Sequence, residues 1–318
     1  MSEGDWLARS AGIALAGAAA VCLMASATAL PPAAVRHAPI QVRRNPDGSV
    51  KRGLRGEMQS SNWSGYAIAS YMSASPFATK GGKPGGGLGG GGGSGGSYTS
   101  AQLTWVVPPV TYGSSTDTTG SSEYSANWVG IGGFCENALC TKLDHTLIQL
   151  GTEQDVSPGG AAEYSAWYEM LPQSETPLST TTYPVSPGDT MTASLSCGTT
   201  CSQKKQTWLL TMTDTSATHA AWTWSQSFPY GSSEASAEWI EEAPYSGGVL
   251  PLADFGTASF SATGGADGGN PPLTISQNGI QMKDPWGQTS NPSDPDSSDD
   301  FNACWGFQSF TACATPTP

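Results

Sequence analysis

The 318-residue chain has few charged side chains and almost no histidine. Charged residues make up 12% of the sequence, and of three histidines only His145 and His219 lie beyond residue 57. From Met58 onward, six lysines and no arginine face 22 acidic residues, a net charge of −16. An acidic surface of this kind repels nucleic acid, which excludes a nucleic-acid partner. Two histidines also give little support to serine/histidine or cysteine/histidine catalysis or to a zinc site.

The first 29 residues have the features of a secretory signal peptide. Arg9 precedes an apolar run from Ala11 to Met24, and small residues at 25–29 offer two cleavage sites. The run is too short and too rich in alanine to predict a membrane span. We therefore predict a signal at residues 1–29 and a secreted, extracellular, monomeric mature protein without membrane attachment.

Residues 30–57 differ in charge from everything that follows. Six basic residues stand against two acidic ones, a net charge of +4 next to a body of −16. Adjacent blocks of opposite charge indicate a basic segment that lies over an acidic surface. Two interpretations remain open from composition alone, an inhibitory pro-segment or a disordered basic linker.

From residue 58 to 318 the sequence is typical of an all-β domain. No long stretch has a helical period, whereas short alternating runs bounded by Gly, Pro, Ser and Asp recur. A nearly pure glycine stretch at 81–97 is predicted to be a loop inserted within this domain. We predict a sandwich of two large antiparallel sheets. The runs are Asn62–Ser70, Ala101–Val107, Ala126–Ile131, Thr146–Thr152, Glu163–Met170, Met191–Leu195, Gln206–Asp214, Ala221–Gln226, Ala235–Ile240, Thr257–Ala262 and Leu273–Ser276.

Six of the seven cysteines form pairs that are close in sequence. Export favours disulfides, and the spacings lack the repeated two-residue pattern of zinc sites. Cys22 falls in the predicted signal. The predicted disulfides join Cys135 to Cys140, Cys197 to Cys201 and Cys304 to Cys313.

Alternation along several runs separates an apolar face from a face of tryptophan, glutamine and glutamate. The second face carries Trp128, Gln149, Glu153, Trp167 and Glu169. If these strands belong to one sheet, that face is a groove of aromatic rings and carboxylates. Such a groove suggests acid–base chemistry on water.

The run Ser236–Glu242 adds further carboxylates. Glu238, Ile240 and Glu242 share one face, while Trp239 and Glu241 lie on the other. A carboxylate in mid-strand between bulky apolar neighbours is costly to bury without a partner. It is either part of a solvated sheet face or a catalytic acid or base.

Seven motifs occur in the order and approximate spacing seen in the glutamic peptidases, or eqolisins, which this chain resembles. The resemblance runs from about residue 61 to 262 and implies a fold similar to concanavalin-type β-sandwiches. It also implies a secreted, acid-active endopeptidase of the bacterial type that cleaves polypeptides without metal or cofactor. The motifs are Ser61–Tyr66, Trp128–Ile131, Leu147–Gly151, Ala166–Glu169, Pro187–Asp189, Ala237–Ile240 and Ala253–Gly256.

The resemblance also assigns roles to single residues. The family's glutamine/glutamate dyad falls by motif on Gln149 and Glu238, with Glu238 accepting a proton from water and Gln149 holding the oxyanion. Trp128, Glu153 and Glu169 match positions that line the family's cleft, and Trp167 is expected to bind substrate with them. Family members carry a basic pro-segment, which favours the inhibitory interpretation of residues 30–57.

One departure and two alternatives remain. The family motif usually has an acidic residue where this chain has Gly132, which affects a substrate contact rather than the dyad. A jelly-roll glycoside hydrolase also places two carboxylates in an aromatic cleft, although Glu238 and Glu242 are four residues apart rather than two. A non-catalytic sugar-binding module is the third possibility.

Overall fold

The structure, a computed structural model, describes residues 35–72, 98–113, 120–216, 218–263 and 273–316. The predicted signal and the Gly-rich loop at 81–97 lie outside these residues. No helix in the described ranges is long and apolar enough to cross a membrane. The elements are β1 Met58–Ser60, β2 Trp63–Ala69, β3 Ser100–Val106, β4 Glu123–Gly132, β5 Leu147–Val156, β6 Ala162–Met170, β7 Thr176–Pro177, β8 Thr190–Ser196, β9 Thr207–Asp214, β10 Trp222–Pro229, β11 Ser236–Glu242, β12 Thr257–Thr263, α1 Ile275–Asn278, β13 Gly279–Lys283, β14 Gln288–Pro292 and β15 Asp300–Phe307.

Ten of the eleven predicted runs are strands, and the eleventh is wrong. Leu273–Ser276 enters α1, where the Asn278 side-chain oxygen accepts a hydrogen bond from the backbone N–H of Thr274. Alternation over four residues cannot distinguish a strand from one helical turn. Residues 284–300 are rich in Pro, Asp and Ser, a composition that predicts a loose tail, but this prediction is wrong in part because β14 lies within them and pairs with β15.

The strands form one continuous hydrogen-bonded sheet that folds into two layers. Its order is β10-β9-β8-β3-β12-β15-β14-β13-β2-β11-β4-β5-β6-β7, with β1 added parallel to β13 and all other pairs antiparallel. The layers meet where β3 faces β5, and there the Trp105 indole N–H donates to the Thr152 hydroxyl at 3.1 Å. The predicted all-β sandwich is confirmed.

Alternation along the strands gives the β2–β11–β4–β5–β6 layer two different faces. Val129 and Leu150 point between the layers into the main core, whereas Trp128 and Trp167 point to the outer face. Ile40, from the predicted pro-segment, packs into this second apolar cluster. The outer face is therefore covered by a segment of the chain itself, which buries the polar side chains there.

The three predicted disulfides are present, namely Cys135–Cys140, Cys197–Cys201 and Cys304–Cys313. Each closes a short loop of the kind that an oxidising compartment preserves. We expect the protein without residues 1–29 to contain no free thiol. Intact-mass analysis after alkylation under denaturing, non-reducing conditions checks this, and two or more alkylated cysteines in the mature form would contradict it.

Candidate active site

The register of four neighbouring strands brings the predicted site residues onto the outer face. β11 pairs with β4, β4 with β5, and β5 with β6. Side chains from these strands align in rows across the sheet. The rows are Glu238, Gly130, Gln149 and Glu169; then Ile240, Trp128, Gly151 and Trp167; then Glu242, Ala126, Glu153 and Ser165.

The side-chain amide of Gln149 is fully buried and points its N–H groups at two acceptors. Its Nε2 lies 2.8 Å from Glu169 Oε2 and 3.1 Å from the backbone carbonyl oxygen of His37. The carboxylate of Glu169 also accepts the backbone N–H of His37, at 2.9 Å. Gln149 and Glu169 together hold one residue of the chain, His37, by both its backbone carbonyl and its backbone N–H.

The carboxylate of Glu242 contacts the same residue, His37, from a position two rows away from Gln149. Its Oε2 accepts the indole N–H of Trp128 at 2.7 Å and lies 3.1 Å from His37 Nδ1, while Asn62 donates to Oε1 at 3.4 Å. Burial raises the pKa of Glu242, and the hydrogen bonds of His37 and Trp128 oppose that rise. Glu242 is thus a buried carboxylate held in one orientation beside the peptide that Gln149 binds.

The ring of His37 fills the space between these groups. It stacks on Trp167 with 3.5 Å between ring centroids and 7° between planes, and its Nε2 lies 3.0 Å from Glu175 Oε2. Burial lowers the pKa of His37, but the hydrogen bonds that its ring makes to the carboxylates of Glu175 and Glu242 outweigh the effect of burial. The pKa of His37 is therefore held well above the usual value. With a carboxylate at each ring nitrogen, the side chain is an imidazolium.

The backbone around His37 lies along the cleft as an extended peptide. Arg36 exchanges two backbone hydrogen bonds with Tyr245, at 3.0 and 2.9 Å, and the N–H of Ile40 donates to the Gly133 carbonyl at 3.0 Å. Residues 36–40 therefore bind to the protein as a substrate strand would, by backbone hydrogen bonds at both ends.

A model of the peptidase A4 family matches residues 87–298. The chain belongs to the peptidase A4 family. The family consists of glutamic endopeptidases, so the chain is a hydrolase of peptide bonds. Neither curated proteins nor solved structures gave a significant match. The Ser61–Tyr66 motif that contributed to the resemblance lies before the matched range.

In this A4 peptidase the predicted cleft residues Gln149, Trp128, Trp167 and Glu169 meet around His37. Glu153 lies beyond them in the row of Glu242, with a carboxylate oxygen within 4.8 Å of ligand atoms of His37 and Glu175. Burial and the charge of Asp155 raise the pKa of Glu153. Burial likewise raises the pKa of Asp155 to about 8 and that of Glu169 to about 7. The cleft is therefore lined by carboxyl groups that favour the protonated state.

Glu238, which the motif selected as the base of the peptidase, lies in the row of Gln149 with Gly130 between them, and it makes none of the described hydrogen bonds around His37. Burial raises the pKa of Glu238 well above the usual value, while the Ser236 side chain and the backbone of Gly132 lower it only in part. Its assignment as catalytic base stays a prediction that no described contact supports.

Sequence reasoning missed three residues of the site: Glu242, His37 and Glu175. Alternation did place Glu242 on the same face as Glu238, so the pattern pointed to both carboxylates and could not choose between them. The choice depends on long-range contacts, since His37 and Glu242 are 205 residues apart. No local pattern marks Glu175, which precedes β7 in a loop.

The departure at Gly132 has a structural reason. The residue has φ of +94°, and a Cβ there would collide with the carbonyl of Thr146. The same Cβ would lie 3.0 Å from Oδ2 of Asp144. A carboxylate thus reaches this position from a neighbouring loop, although residue 132 itself cannot carry one without backbone change.

Three clusters in the described residues contain enough potential ligands for a metal ion, and in each the ligands already have other partners. Cys197 and Cys201, which lie near Glu234, form a disulfide. His219 pairs with Asp189 at 2.9 Å, and His37 pairs with Glu175. The expectation of a metal-free reaction stays a prediction.

Proposed function

We propose that the chain is a secreted, acid-active endopeptidase in which Gln149 and Glu242 act on water and the scissile peptide, and in which residues 30–57 inhibit the precursor. One observation carries the proposal. The Gln149 amide donates to a peptide carbonyl, that of His37, beside the buried carboxylate of Glu242.

The geometry gives each side chain a separate step. Glu242 in its ionised form accepts a proton from the attacking water and then donates it to the leaving amine. Gln149 polarises the carbonyl and stabilises the oxyanion, a role worth about 3–4 kcal/mol in comparable sites. The Trp128 indole holds the Glu242 carboxylate in place throughout.

Glu242 fits the role of base better than Glu238 for a geometric reason. A base must lie within hydrogen-bond reach of a water beside the scissile carbonyl. Glu242 contacts the residue whose carbonyl Gln149 binds, whereas no described contact joins Glu238 to that residue.

The basic segment inhibits because it occupies the cleft and pairs with the base. His37 excludes a substrate from Gln149, and its imidazolium holds Glu242 in an ion pair. This pair and the reaction itself both require an ionised Glu242, so acid must weaken inhibition without protonating Glu242. It does so by protonating other carboxylates of the acidic body, which reduces the attraction of that body for the basic segment. The +4 charge of the segment against the −16 body adds attraction near neutrality.

Secretion is supported by the predicted signal and by the three disulfides, which fit an oxidising compartment. A basic segment bound over acidic groups also suits a precursor that passes through a neutral secretory route and becomes active in an acidic medium.

We expect the secreted protein to release peptides from denatured protein at about pH 4, where part of the acidic body is protonated and attracts the basic segment less strongly. The precursor purified near neutral pH should show a lag that the form lacking residues 1–57 does not. The assay measures acid-soluble peptides, with reducing sugar from polysaccharides measured in parallel. Release of sugar without peptides would favour the glycoside hydrolase, and binding without either product would favour the sugar-binding module.

A further inference from the structure

The segment in the cleft shows where a substrate side chain would lie. Gln149 binds the carbonyl of His37, so the bond from His37 to Ala38 is the one positioned for attack. Asn62 lies on the far side of that bond, where its Nδ2 is 3.3 Å from the carbonyl oxygen of Ala38. The recess that holds the His37 ring is therefore the subsite for the residue immediately before the scissile bond.

This recess is a flat slot with negative charge at two of its edges. Trp167 forms its floor, in parallel contact with the imidazole. Glu242 lies at the Nδ1 edge, 3.1 Å away, and Glu175 at the Nε2 edge, 3.0 Å away. The imidazole is fully buried in the slot, whereas the Glu175 side chain is 15% exposed.

The slot suits a planar cation better than any other side chain. A phenyl ring would stack on Trp167 but would leave Glu175 without a donor, and leucine would lose the stack as well. Histidine in its protonated form and arginine present a flat, charged face together with N–H groups at the rim. Lysine offers a positive charge but has no planar group that could stack on Trp167.

We propose that Glu175 is a specificity-determining residue that makes this peptidase prefer a protonated histidine or an arginine immediately before the scissile bond. The inference rests on the proposed function. The described contacts of Glu175 include none with Gln149, so its carboxylate can select the side chain without taking part in the reaction.

Four quenched peptides test this, each with the frame of residues 35–40, Val-Arg-X-Ala-Pro-Ile, and X as His, Arg, Phe or Leu. The enzyme freed of residues 1–57 is assayed at about pH 4, where histidine is protonated. We expect kcat/KM for His and Arg to exceed that for Phe and Leu at least about tenfold, a plausible value for one charge-assisted contact. Product masses identify the bond that is cleaved.

Substitutions of Glu175 test whether this carboxylate, rather than the overall negative charge of the cleft, sets the preference. In Glu175→Gln, the ratio of kcat/KM for the His peptide to kcat/KM for the Phe peptide should fall to within about threefold of unity. In Glu175→Lys the same ratio should fall below one. Glu163→Gln removes the same charge from an exposed position on β6 and should keep the wild-type ratio. Thermal unfolding of each variant confirms that it is folded.

The outcomes distinguish a failure of the proposed specificity from a failure of the proposed function. An unchanged ratio in Glu175→Gln and Glu175→Lys, or a wild-type preference for Phe or Leu, would overturn the specificity while peptide cleavage continued to support the proposed function. Failure to cleave any of the four peptides, together with failure to digest denatured protein, would overturn the proposed function and this inference with it.

Discussion

Glu242→Gln should lower kcat by at least about a hundredfold, the effect expected when a general base is removed. The substitution keeps the size of the side chain and its contact with the Trp128 indole, which can donate to the new amide oxygen. What it removes is the group that takes a proton from water. KM should change little, since the amide still fills the same place in the cleft.

Glu238→Gln is the matched comparison, because it makes the same chemical change four residues away on the same face of β11. The polar groups that lower the pKa of Glu238 are Ser236 and the backbone of Gly132, and no described contact joins Glu238 to Gln149. Its kcat should stay within about threefold of wild type. The comparison therefore tests the geometric choice of base against the choice made from the motif.

The measurement is initial-rate kinetics on one peptide at about pH 4. Each variant is first freed of residues 1–57 by an added protease, which is then removed, because an inactive precursor could not process itself. Circular dichroism controls for folding. A loss of activity in Glu238→Gln together with near wild-type kcat in Glu242→Gln would restore Glu238 as the base and refute our reading of the site.

Much of the fold could be predicted because it depends on short-range alternation. The runs at β4, β5 and β6 each show an apolar residue at every second position, so both the strands and their buried faces follow from local sequence. That Gln149, Trp167 and Glu169 share the outer face follows in the same way. The run Leu273–Ser276 is too short for alternation to distinguish a strand from a helical turn.

The center of the site could not be predicted because it depends on contacts between distant residues. Gln149 and His37 are 112 residues apart, and nothing in either local sequence indicates their contact. That Glu242, and not Glu238, contacts His37 becomes apparent only with the long-range contacts known. Charge alone predicted that the basic segment lies on the body, but not that an imidazole enters the cleft.

The pH dependence of stability should follow from burial of carboxyl groups. Burial raises the pKa of Asp155 to about 8 and that of Asp284 to about 6, and it raises those of Glu238 and Glu241 in the same direction. Like charges contribute as well, as Asp155 does to the pKa of Glu153, but burial is the larger effect.

The sign of the dependence is fixed by the direction of these shifts. An acid with a folded pKa above its unfolded value, near 4, contributes full stability below pH of about 4 and loses it as pH rises through the folded pKa. The mature enzyme should therefore be most stable in acid. Its melting temperature should fall by at least about 5 °C from pH 4 to pH 7, since 1 kcal/mol corresponds to about 2–4 °C at this size.

Glu238→Gln measures how much one buried carboxyl group contributes to the pH dependence of stability. At pH 4 Glu238 is already protonated, so the neutral amide should change the melting temperature little. At pH 7 the wild-type protein must either ionise this group in a buried place or hold a proton there, whereas the variant need not. We expect Glu238→Gln to raise the melting temperature at pH 7 by about 3 °C or more relative to wild type.

The precursor should lose less stability than the mature form over the same range. In the precursor, His37 lies between Glu175 and Glu242, and its positive charge lowers the pKa of Glu242, Glu153 and Asp155. Removing residues 1–57 takes this positive charge away, so no imidazolium then offsets the negative charge of the buried carboxyl groups. Calorimetry of both forms at pH 4 and pH 7 checks this. Equal melting temperatures of precursor and mature enzyme at pH 7 would show that the segment does not offset the cleft's acidity.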